Sequence, residues 1–150
     1  MALSDAQKQI VRETWAQVVP IADTAGNLFY GRLFELDPSL QPLFKGISIH
    51  EQQRKLMQTL AMAVASLDNL EQLVPVLETL GRRHADYGVK DSAYATGLTA
   101  LLWTLERGLG EGYTPAVGEA WTVTYNLVTG VMRRSAAQPR RLRLKAPVRV

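Results

Sequence analysis

The sequence predicts an all-α protein built as one domain. Apolar residues recur at spacings of three and four along the whole chain, whereas the strict alternation typical of strands is hard to find. The chain has 150 residues, of which 47% are hydrophobic and 21% are charged. A chain of this length buries about two thirds of the surface that its unfolded form exposes. These observations favour one self-contained helical core and exclude a two-domain enzyme.

A capping signal opens the first predicted helix. Ser4 and Gln7 have the spacing of a capping box, in which each side chain accepts a hydrogen bond from the other residue's backbone N–H. Pro20 interrupts the helix because proline has no N–H for the helical bond. A second helix is predicted from about residue 21 to residue 35, and it ends where Pro38 disfavours helical geometry in the residue before it.

A short connector and a third helix come next. The connector, over residues 39–46, contributes Phe44 to the apolar residues. The third helix, from about residue 49 to residue 66, has an apolar stripe at steps of three and four, and Gln52 stands at its head. The residues of the stripe behind Gln52 are Leu56, Leu60, Ala63 and Leu67. A polar side chain thus occupies a position at which the periodicity predicts contact with the interior.

The fourth predicted helix carries a histidine in its apolar seam. The pattern starts at Leu70, and His84 stands four residues after Leu80 on the apolar side. The Tyr87-Gly88 pair is typical of a helix end. The sequence therefore predicts that this histidine faces the interior.

The last two predicted helices each have a start signal. Ser92 is placed to cap a helix that runs to Leu109 and ends in a glycine-rich loop. Thr114 and Pro115 occupy the N-cap and first-turn positions of a final helix whose apolar stripe extends to Val131. The chain is thus predicted to contain about six long helices and one short connector helix.

The composition of the chain excludes several types of chemical site and indicates where in the cell the protein is found. The chain has no cysteine, which excludes a disulfide framework, a thiolate metal site, an iron–sulfur cluster and a cysteine nucleophile. The first residues lack the basic and apolar regions of a signal peptide, and no apolar run approaches the roughly 20 residues that span a bilayer. We therefore expect a cytoplasmic protein with no membrane association.

Charge is distributed unevenly along the chain. Residues 133–149 hold seven basic groups and no acidic group, whereas the preceding 132 residues hold 10 basic and 14 acidic groups. We therefore predict one folded domain over residues 1–132 and a basic, flexible tail over residues 133–150. The tail has two prolines and no aromatic residue for stacking on bases, a pattern that favours a solvated extension. Nucleic-acid binding through the tail is the alternative, and it predicts a salt-sensitive affinity that is lost with the tail.

Three polar side chains occupy predicted interior positions: Tyr30, Gln52 and His84. Each needs a partner, because a buried polar group without one costs about 1–3 kcal/mol. They are either core residues that bond one another or the backbone, or they surround a ligand. His50 is the only other histidine, so a multi-histidine zinc site is excluded. Haem iron needs only one protein histidine, because the porphyrin supplies four further nitrogens.

Six segments, in this order, carry a resemblance to globins. They are FYGRLFELDP over residues 29–38, PLF over 42–44, QQRKLM over 52–57, LGRRHADYGV over 80–89, SAY over 92–94 and AWTVTY over 120–125. Each segment alone is unspecific, but all six in the right order and spacing are specific to the family. More narrowly, the chain resembles bacterial single-domain globins of the flavohaemoglobin lineage over about residues 4–132.

The resemblance implies an all-α globin fold with one pocket for haem b. It implies that His84 is the proximal ligand of the iron and donates its Nδ1 proton to the Leu80 carbonyl. On the distal side it implies a polar pair, Tyr30 and Gln52, that contacts the gas ligand and takes part in any catalysis. The residues expected to line the cofactor are Phe44, Leu56, Leu80, Val89 and Tyr94.

Two positions leave alternatives open. The glutamate that partners Tyr94 in this lineage falls at Ser135 or Ala136 here, so the resemblance does not imply a strongly activated proximal histidine. His50 is an alternative sixth ligand of the iron, although a separation of two residues places it about 200° from Gln52 around a helix.

The resemblance also implies a function. The chain is expected to bind O2, CO and NO reversibly and to oxidise nitric oxide, with electrons from an external reductase because the chain includes no reductase domain. An oxygen store or gas sensor without turnover is one alternative, and a haem-free interaction domain with the same fold is another. We expect a monomer or a weak homodimer.

Overall fold

The fold is all-α, as predicted. A computed structural model describes residues 2–137, and over this range it contains six α-helices, four short 3₁₀ helices and no strand. The α-helices are α1 (Asp5–Val18), α2 (Ala22–Leu36), α3 (Ile49–Ala65), α4 (Val74–Asp86), α5 (Asp91–Leu109) and α6 (Pro115–Ala136). The 3₁₀ helices are Val19–Ile21, Pro38–Phe44, Leu70–Leu73 and Gly110–Gly112. None of the described helices is both long enough and apolar enough to cross a bilayer.

Two of the predicted helix starts are confirmed. The Gln7 backbone N–H donates to Ser4 Oγ at 3.1 Å and the Ser4 N–H donates to Gln7 Oε1 at 3.0 Å, which completes the capping box of α1. At the start of α6 the Val117 N–H donates to Thr114 Oγ1 at 3.3 Å. These bonds satisfy N–H groups that have no partner within the helix.

The predicted N-cap of α5 is wrong. α5 begins at Asp91, its N-cap residue is Lys90, and no side chain caps it. Ser92 lies inside the first turn, where its carbonyl accepts a hydrogen bond from Thr96 Oγ1 at 3.5 Å. Asp91 favours this helix start because its carboxylate interacts with the positive end of the helix dipole, and Arg133 of α6 pairs with it.

The C-terminal helix is longer than predicted. α6 continues to Ala136, so residues 133–136, which we assigned to the basic tail, are helical. Arg133 and Arg134 lie in its last turn, where cations interact favourably with the helix dipole. The rest of the predicted tail, residues 138–150, lies outside the described residues, and its flexibility stays a prediction.

α6 packs against three other helices, α1, α4 and α5. Its Trp121 is 1% exposed, and the indole Nε1 donates to Thr14 Oγ1 of α1 at 2.8 Å. On the α4 side, a Cβ at Gly81 would collide with the Met132 carbonyl. Glycine therefore allows α4 to lie directly against the backbone of α6.

The buried apolar residues form two clusters. The larger core cluster joins α1, α2, α3, α5 and α6 and consists of Val11, Val18, Ala25, Phe29, Tyr30, Leu33, Leu40, Val64, Leu67, Ala100, Leu101, Leu105, Val117, Ala120 and Trp121. The smaller core cluster consists of Ala63, Leu73, Leu77, Tyr94 and Met132. The core is thus divided between a region around α2 and a region around α4.

The third and fourth helices are consecutive in the chain but do not pack extensively on each other. α3 lies mainly against α2, whereas α4 lies mainly against α6. Side chains of the two helices meet in the smaller core cluster, to which Ala63 of α3 and Leu77 of α4 belong.

Candidate functional site

Tyr30 lies on α2 among aromatic rings. Its ring centroid is 5.1 Å from that of Phe29, 6.1 Å from that of Phe34 and 5.6 Å from that of Phe44. The residue is 8% exposed, and burial raises the pKa of its hydroxyl to about 12. No hydrogen bond to another described residue counteracts that shift. Tyr30 therefore stays a neutral phenol whose hydroxyl is free to donate to a ligand.

Phe44 closes the same aromatic group from the connector. It is the last residue of the 3₁₀ helix Pro38–Phe44, and its ring meets that of Phe34 edge-on at 5.3 Å. Beside it lies an open groove of about 600 Å³, lined by Phe34, Pro38, Gln41, Pro42, Phe44, Lys45 and Ile49. The aromatic group thus has one edge that is open to solvent.

The two adjacent glutamines of α3 have different surroundings. Gln53 is the buried one, and its Nε2 donates to Asn27 Oδ1 of α2 at 2.8 Å. Its side chain lies against Gly26, where an added Cβ would stand 3.0 Å from the Gln53 Cβ. Gln53 therefore joins α3 to α2, a role that the sequence analysis missed. Its spacing from Met57 and Val64, a second apolar stripe on α3, was the available signal.

Gln52 lies on a different face of α3. It is half-buried and stands four residues before Leu56, which packs against the larger core cluster together with Tyr30. Seven residues after Leu56, Ala63 belongs to the smaller core cluster with Leu77 of α4. Because residues spaced by four and seven share a helix face, Gln52 and Leu56 lie on the face of α3 that is directed towards α4.

His50 lies on the Gln53 side of α3. It is exposed in the first turn and borders a pocket of about 150 Å³ together with Asp23, Gln53 and Arg54. Gln52 is not among the residues that line this pocket. The structure therefore gives no support to His50 as a ligand on the Gln52 side.

His84 lies near the end of α4. Its Nδ1 atom is buried and has no hydrogen-bond partner among the described residues, so the predicted bond to the Leu80 carbonyl is absent. A helical carbonyl can accept a hydrogen bond from a side chain four residues on, as the Ile10 carbonyl does from Thr14, but the His84 imidazole is not directed at the Leu80 carbonyl. Burial lowers the pKa of His84 and keeps the imidazole neutral, which is the form that binds a metal.

Tyr94 of α5 faces His84. The two ring centroids are 6.3 Å apart, and the Tyr94 hydroxyl is also buried without a partner. Arg133 lies 5.9 Å from the Tyr94 ring centroid, and it bonds both carboxylate oxygens of Asp91 at 2.7 Å. The Tyr125 hydroxyl donates to the Tyr94 carbonyl at 2.7 Å. Burial raises the pKa of Tyr94, so this phenol is neutral too.

The predicted site residues divide between the two clusters. Tyr30 belongs to the larger core cluster, and Phe44 and Leu56 pack against it. Tyr94 belongs to the smaller core cluster, which Leu80 and Val89 cover and whose Tyr94 ring contacts His84. The structure thus places an aromatic group with a free hydroxyl on one side and a neutral histidine on the other, with Gln52 on the α3 face between α2 and α4.

Comparison with known proteins places the chain in a family. The model of the family described as Globin matches residues 27–132. The chain is 32% identical to neuroglobin from Danio rerio, over 91% of this chain and 94% of the relative. It is also 32% identical to neuroglobin from Tetraodon nigroviridis, with the same coverage of both chains.

Solved structures show the same fold at lower identity. The structure of a hexacoordinated haem protein from an anhydrobiotic tardigrade superposes with a TM-score of 0.80 at 20% identity, covering 91% of this chain and 96% of that one. A bacterial globin from Campylobacter jejuni superposes with a TM-score of 0.77 at 24% identity, covering 89% and 96%. With a family model that matches most of the chain and relatives that span almost all of it, this chain belongs to the globin family.

Proposed function

We propose that this globin binds haem b and, at its iron, reversibly binds O2, CO and NO. The observation that carries the proposal is the division of the core into two clusters, with the His84 ring on one side and the Tyr30 hydroxyl on the other. The helices that carry Gln52 and His84, α3 and α4, pack mainly on α2 and on α6 and not extensively on each other. Haem fits between these two clusters, because it is flat and mostly apolar and its iron accepts one nitrogen ligand from a histidine such as His84.

The residues present suit the haem group. His84 would hold the iron through Nε2, and Leu80 and Val89 would cover the porphyrin from the same side. Phe44 and Leu56 would cover the opposite side. The groove beside Phe44 leaves one edge open to solvent, as the charged carboxylates of a porphyrin require, and Lys45 lines it.

The residues of the chain favour a partly negative gas ligand. Haem supplies the reversible binding of a diatomic gas and the transfer of an electron to it. The neutral Tyr30 hydroxyl donates a hydrogen bond towards that ligand, and Gln52 can add a second donor. Hydrogen bonds to charged groups contribute about 1.5–3 kcal/mol. One such bond slows release of the ligand about tenfold to a hundredfold, since 1.4 kcal/mol corresponds to a factor of ten.

Oxidation of nitric oxide to nitrate is the activity that slow release supports. The polar pair Tyr30 and Gln52 supports this activity. The same pair supports a closer relationship of this chain to the flavohaemoglobin lineage within the globin family. Each turnover combines NO with O2 and consumes one electron, which an external reductase would supply. Storage or sensing of oxygen without turnover is the second candidate. It is favoured by Ser135, a buried residue without charge near the position where that lineage has a glutamate.

Absorption spectra test the proposal directly. We expect the ferrous CO form of the haem-reconstituted protein to show the Soret band of a histidine-ligated globin, and His84→Ala to weaken or abolish it. His50→Ala is the matched control, because it removes the only other histidine and leaves this band unchanged. A wild-type protein that takes up no haem, or a His84→Ala spectrum like that of the wild type, contradicts the proposal.

Tyr30→Phe tests the distal hydrogen bond. It removes the hydroxyl and keeps the ring, so we expect O2 to dissociate at least about tenfold faster in stopped-flow measurements. Tyr113→Phe, at a half-buried tyrosine before α6, is the control and leaves the rate unchanged. An unchanged rate in Tyr30→Phe assigns the stabilisation of the ligand to another residue.

Sustained nitrate production with a reductase separates the dioxygenase from a store or sensor, which yields nitrate once.

A further inference from the structure

The outer face of α2 and α5 carries two arginines against one tryptophan ring. The guanidinium carbon of Arg32 lies 5.1 Å from the ring centroid of Trp103, and that of Arg107 lies 4.8 Å from it. Arg32 belongs to α2, whereas Trp103 and Arg107 belong to α5. A guanidinium that stacks on an aromatic ring is attracted to it and loses freedom of motion. The two helices thus present two cationic groups that the same ring holds in place.

Little negative charge compensates these two arginines. Arg32 Nη1 lies 3.5 Å from Glu35 Oε1, and Arg32 Nε is buried without a hydrogen-bond partner among residues 2–137. Arg107 is exposed and forms no ion pair with any residue that the structure describes. The indole N–H of Trp103 also has no partner in that range. Because each guanidinium has five N–H donors, most donors of this pair are available to an acceptor from outside the chain.

Apolar side chains and open space lie next to the two arginines. Leu28 and Leu36 stand four residues before and four residues after Arg32, so the three share one face of α2. Leu28 is half-buried and Leu36 is 39% exposed. An added Cβ at Gly31 would have no atom within 4 Å, so the surface beside Arg32 is open. We call this surface the arginine–tryptophan patch, and it consists of Leu28, Gly31, Arg32, Leu36, Trp103 and Arg107.

We propose that the arginine–tryptophan patch is a docking surface for an acidic segment of another protein, whose carboxylates bind the guanidiniums of Arg32 and Arg107. A guanidinium can bind both oxygens of one carboxylate, and the charges of the two surfaces are complementary. Tryptophan and arginine are also the residue types that contribute most to binding at protein interfaces. Because stacking on Trp103 already orders the arginines, docking costs less side-chain entropy. The inference does not rest on haem binding, since none of these residues belongs to the proposed haem site.

A second copy of this chain fits the patch less well than an acidic partner does. In a two-fold dimer the same surface of both copies meets, which would bring the guanidiniums of one copy against those of the other. Like charges that face each other across an interface destabilise it. Glu35 is the only acidic residue that pairs with either arginine within residues 2–137, and it pairs with Arg32 alone. The patch therefore lacks the carboxylates that would make it complementary to itself.

NMR of the full-length protein, titrated with a glutamate-rich peptide that has a central leucine, tests the proposal. The chain has three tryptophans, and Trp103→Phe assigns the indole signal of Trp103. We expect the peptide to shift this signal and to leave the other two indole signals in place. Arg32→Gln/Arg107→Gln is expected to raise the dissociation constant obtained from the titration about tenfold or more.

The basic C-terminal residues supply the matched control, because they attract acidic peptides as well. Arg140→Gln/Arg141→Gln removes two positive charges, as the patch variant does, and we expect it to leave the shift of the Trp103 signal unchanged. The proposal is overturned if the peptide does not shift that signal, or if the patch variant binds as tightly as the wild type.

Two further outcomes would replace the acidic partner with a different occupant. An equal shift of the Trp103 signal with inorganic phosphate alone would mean that the patch binds small anions. A shift that grows with protein concentration in the absence of peptide would mean that the patch is a contact between copies of this chain. Either result overturns the assignment to an acidic protein segment.

Discussion

Thr14 and Trp121 form a buried hydrogen bond between the first and last helices. The Trp121 Nε1 donates to Thr14 Oγ1 at 2.8 Å, and that hydroxyl donates to the Ile10 carbonyl at 2.7 Å. Trp121 is 1% exposed and Thr14 is 6% exposed, so neither group reaches bulk water. The hydroxyl therefore satisfies the indole N–H while it remains bonded to its own helix.

Thr14→Val removes that acceptor and keeps the shape of the side chain. We expect a loss of about 1–3 kcal/mol in the free energy of unfolding, because the Trp121 N–H stays buried without a partner. Urea unfolding followed by tryptophan fluorescence measures the loss. Thr99→Val is the control, since the Thr99 hydroxyl bonds only the Ala95 carbonyl on an exposed face of α5. Equal losses in the two variants would show that the Trp121 bond contributes nothing of its own.

The two adjacent glutamines of α3 show what could not be predicted from the sequence for single residues. The periodicity of α3 correctly indicates that a glutamine faces the interior, but it does not tell apart the faces occupied by Gln52 and Gln53. The partner of Gln53 is Asn27, 26 residues earlier in the chain, and no local pattern reveals it. The position of His84 on the apolar side of its helix could be predicted from periodicity, whereas its ring contact with Tyr94 could not, because that ring comes from α5.

At the scale of elements, the contact between α4 and α6 depends on one glycine. Gly81→Ala would push a methyl group into the Met132 backbone, which cannot move as a side-chain end does. We expect a loss of about 1–3 kcal/mol in the free energy of unfolding, as for other overpacked contacts. Thermal unfolding of the protein without haem measures it. Because α4 carries His84, we also expect faster haem loss from this variant.

Gly31→Ala is the matched control for that substitution. Gly31 lies inside α2, is exposed, and has no atom within 4 Å of an added Cβ. Alanine is favoured over glycine in a helix by about 0.5–1 kcal/mol, so this variant is expected to be more stable than the wild type. A stabilised Gly81→Ala would mean that α4 can move away from α6 at no cost.

Asp68 connects the segment after α3 to the first helix. Lys8 Nζ lies 3.2 Å and an Arg12 guanidinium nitrogen 2.9 Å from its carboxylate. The Lys8 hydrogen bond, with the nearby Arg12 charge, lowers the pKa of Asp68 below its ordinary value of 3.8. In acid the unfolded chain therefore binds a proton at Asp68 before the folded protein does, and the stabilisation is lost as the pH falls.

Asp68→Asn tests this linkage. Near neutral pH we expect the variant to unfold at a slightly lower urea concentration than the wild type, because an exposed ion pair contributes little. The difference is expected to shrink as the pH falls below 3.8 and the wild-type carboxylate takes up its proton. A difference that stays constant over this range would assign the effect to a cause other than charge. High salt is expected to reduce the neutral-pH difference as well.

For the molecule as a whole, the division of the core into two clusters predicts that bound haem strongly raises the free energy of unfolding. A ligand that binds only the folded state at about 100 times its dissociation constant stabilises that state by about 2.7 kcal/mol. For a domain of this size that corresponds to about 5–10 °C in the midpoint of thermal unfolding. We expect added haem to raise the midpoint of the wild type and of His50→Ala. A clearly smaller rise is expected for His84→Ala, and an equal rise would show that haem is not held through His84.

What the sequence determined by itself is the local part of this protein. The six helices, the capping box at Ser4 and the Thr114 cap follow from spacings of three and four residues, which the chain sets without long-range contacts. The globin family followed from six segments in order, and membership is confirmed by the family comparison. Even locally the prediction was wrong at Ser92, where pairing between Asp91 and a distant arginine favours an earlier helix start.

Only the tertiary structure decided which distant residues meet. The pairing of Thr14 with Trp121 spans 107 residues of sequence, and that of Asp91 with Arg133 spans 42. Helical periodicity states which face of a helix is apolar, but not which helix that face contacts, because the contact depends on how all helices pack together. The division of the core and the position of Tyr94 beside His84 are of this kind, since they arise where α4, α5 and α6 cross.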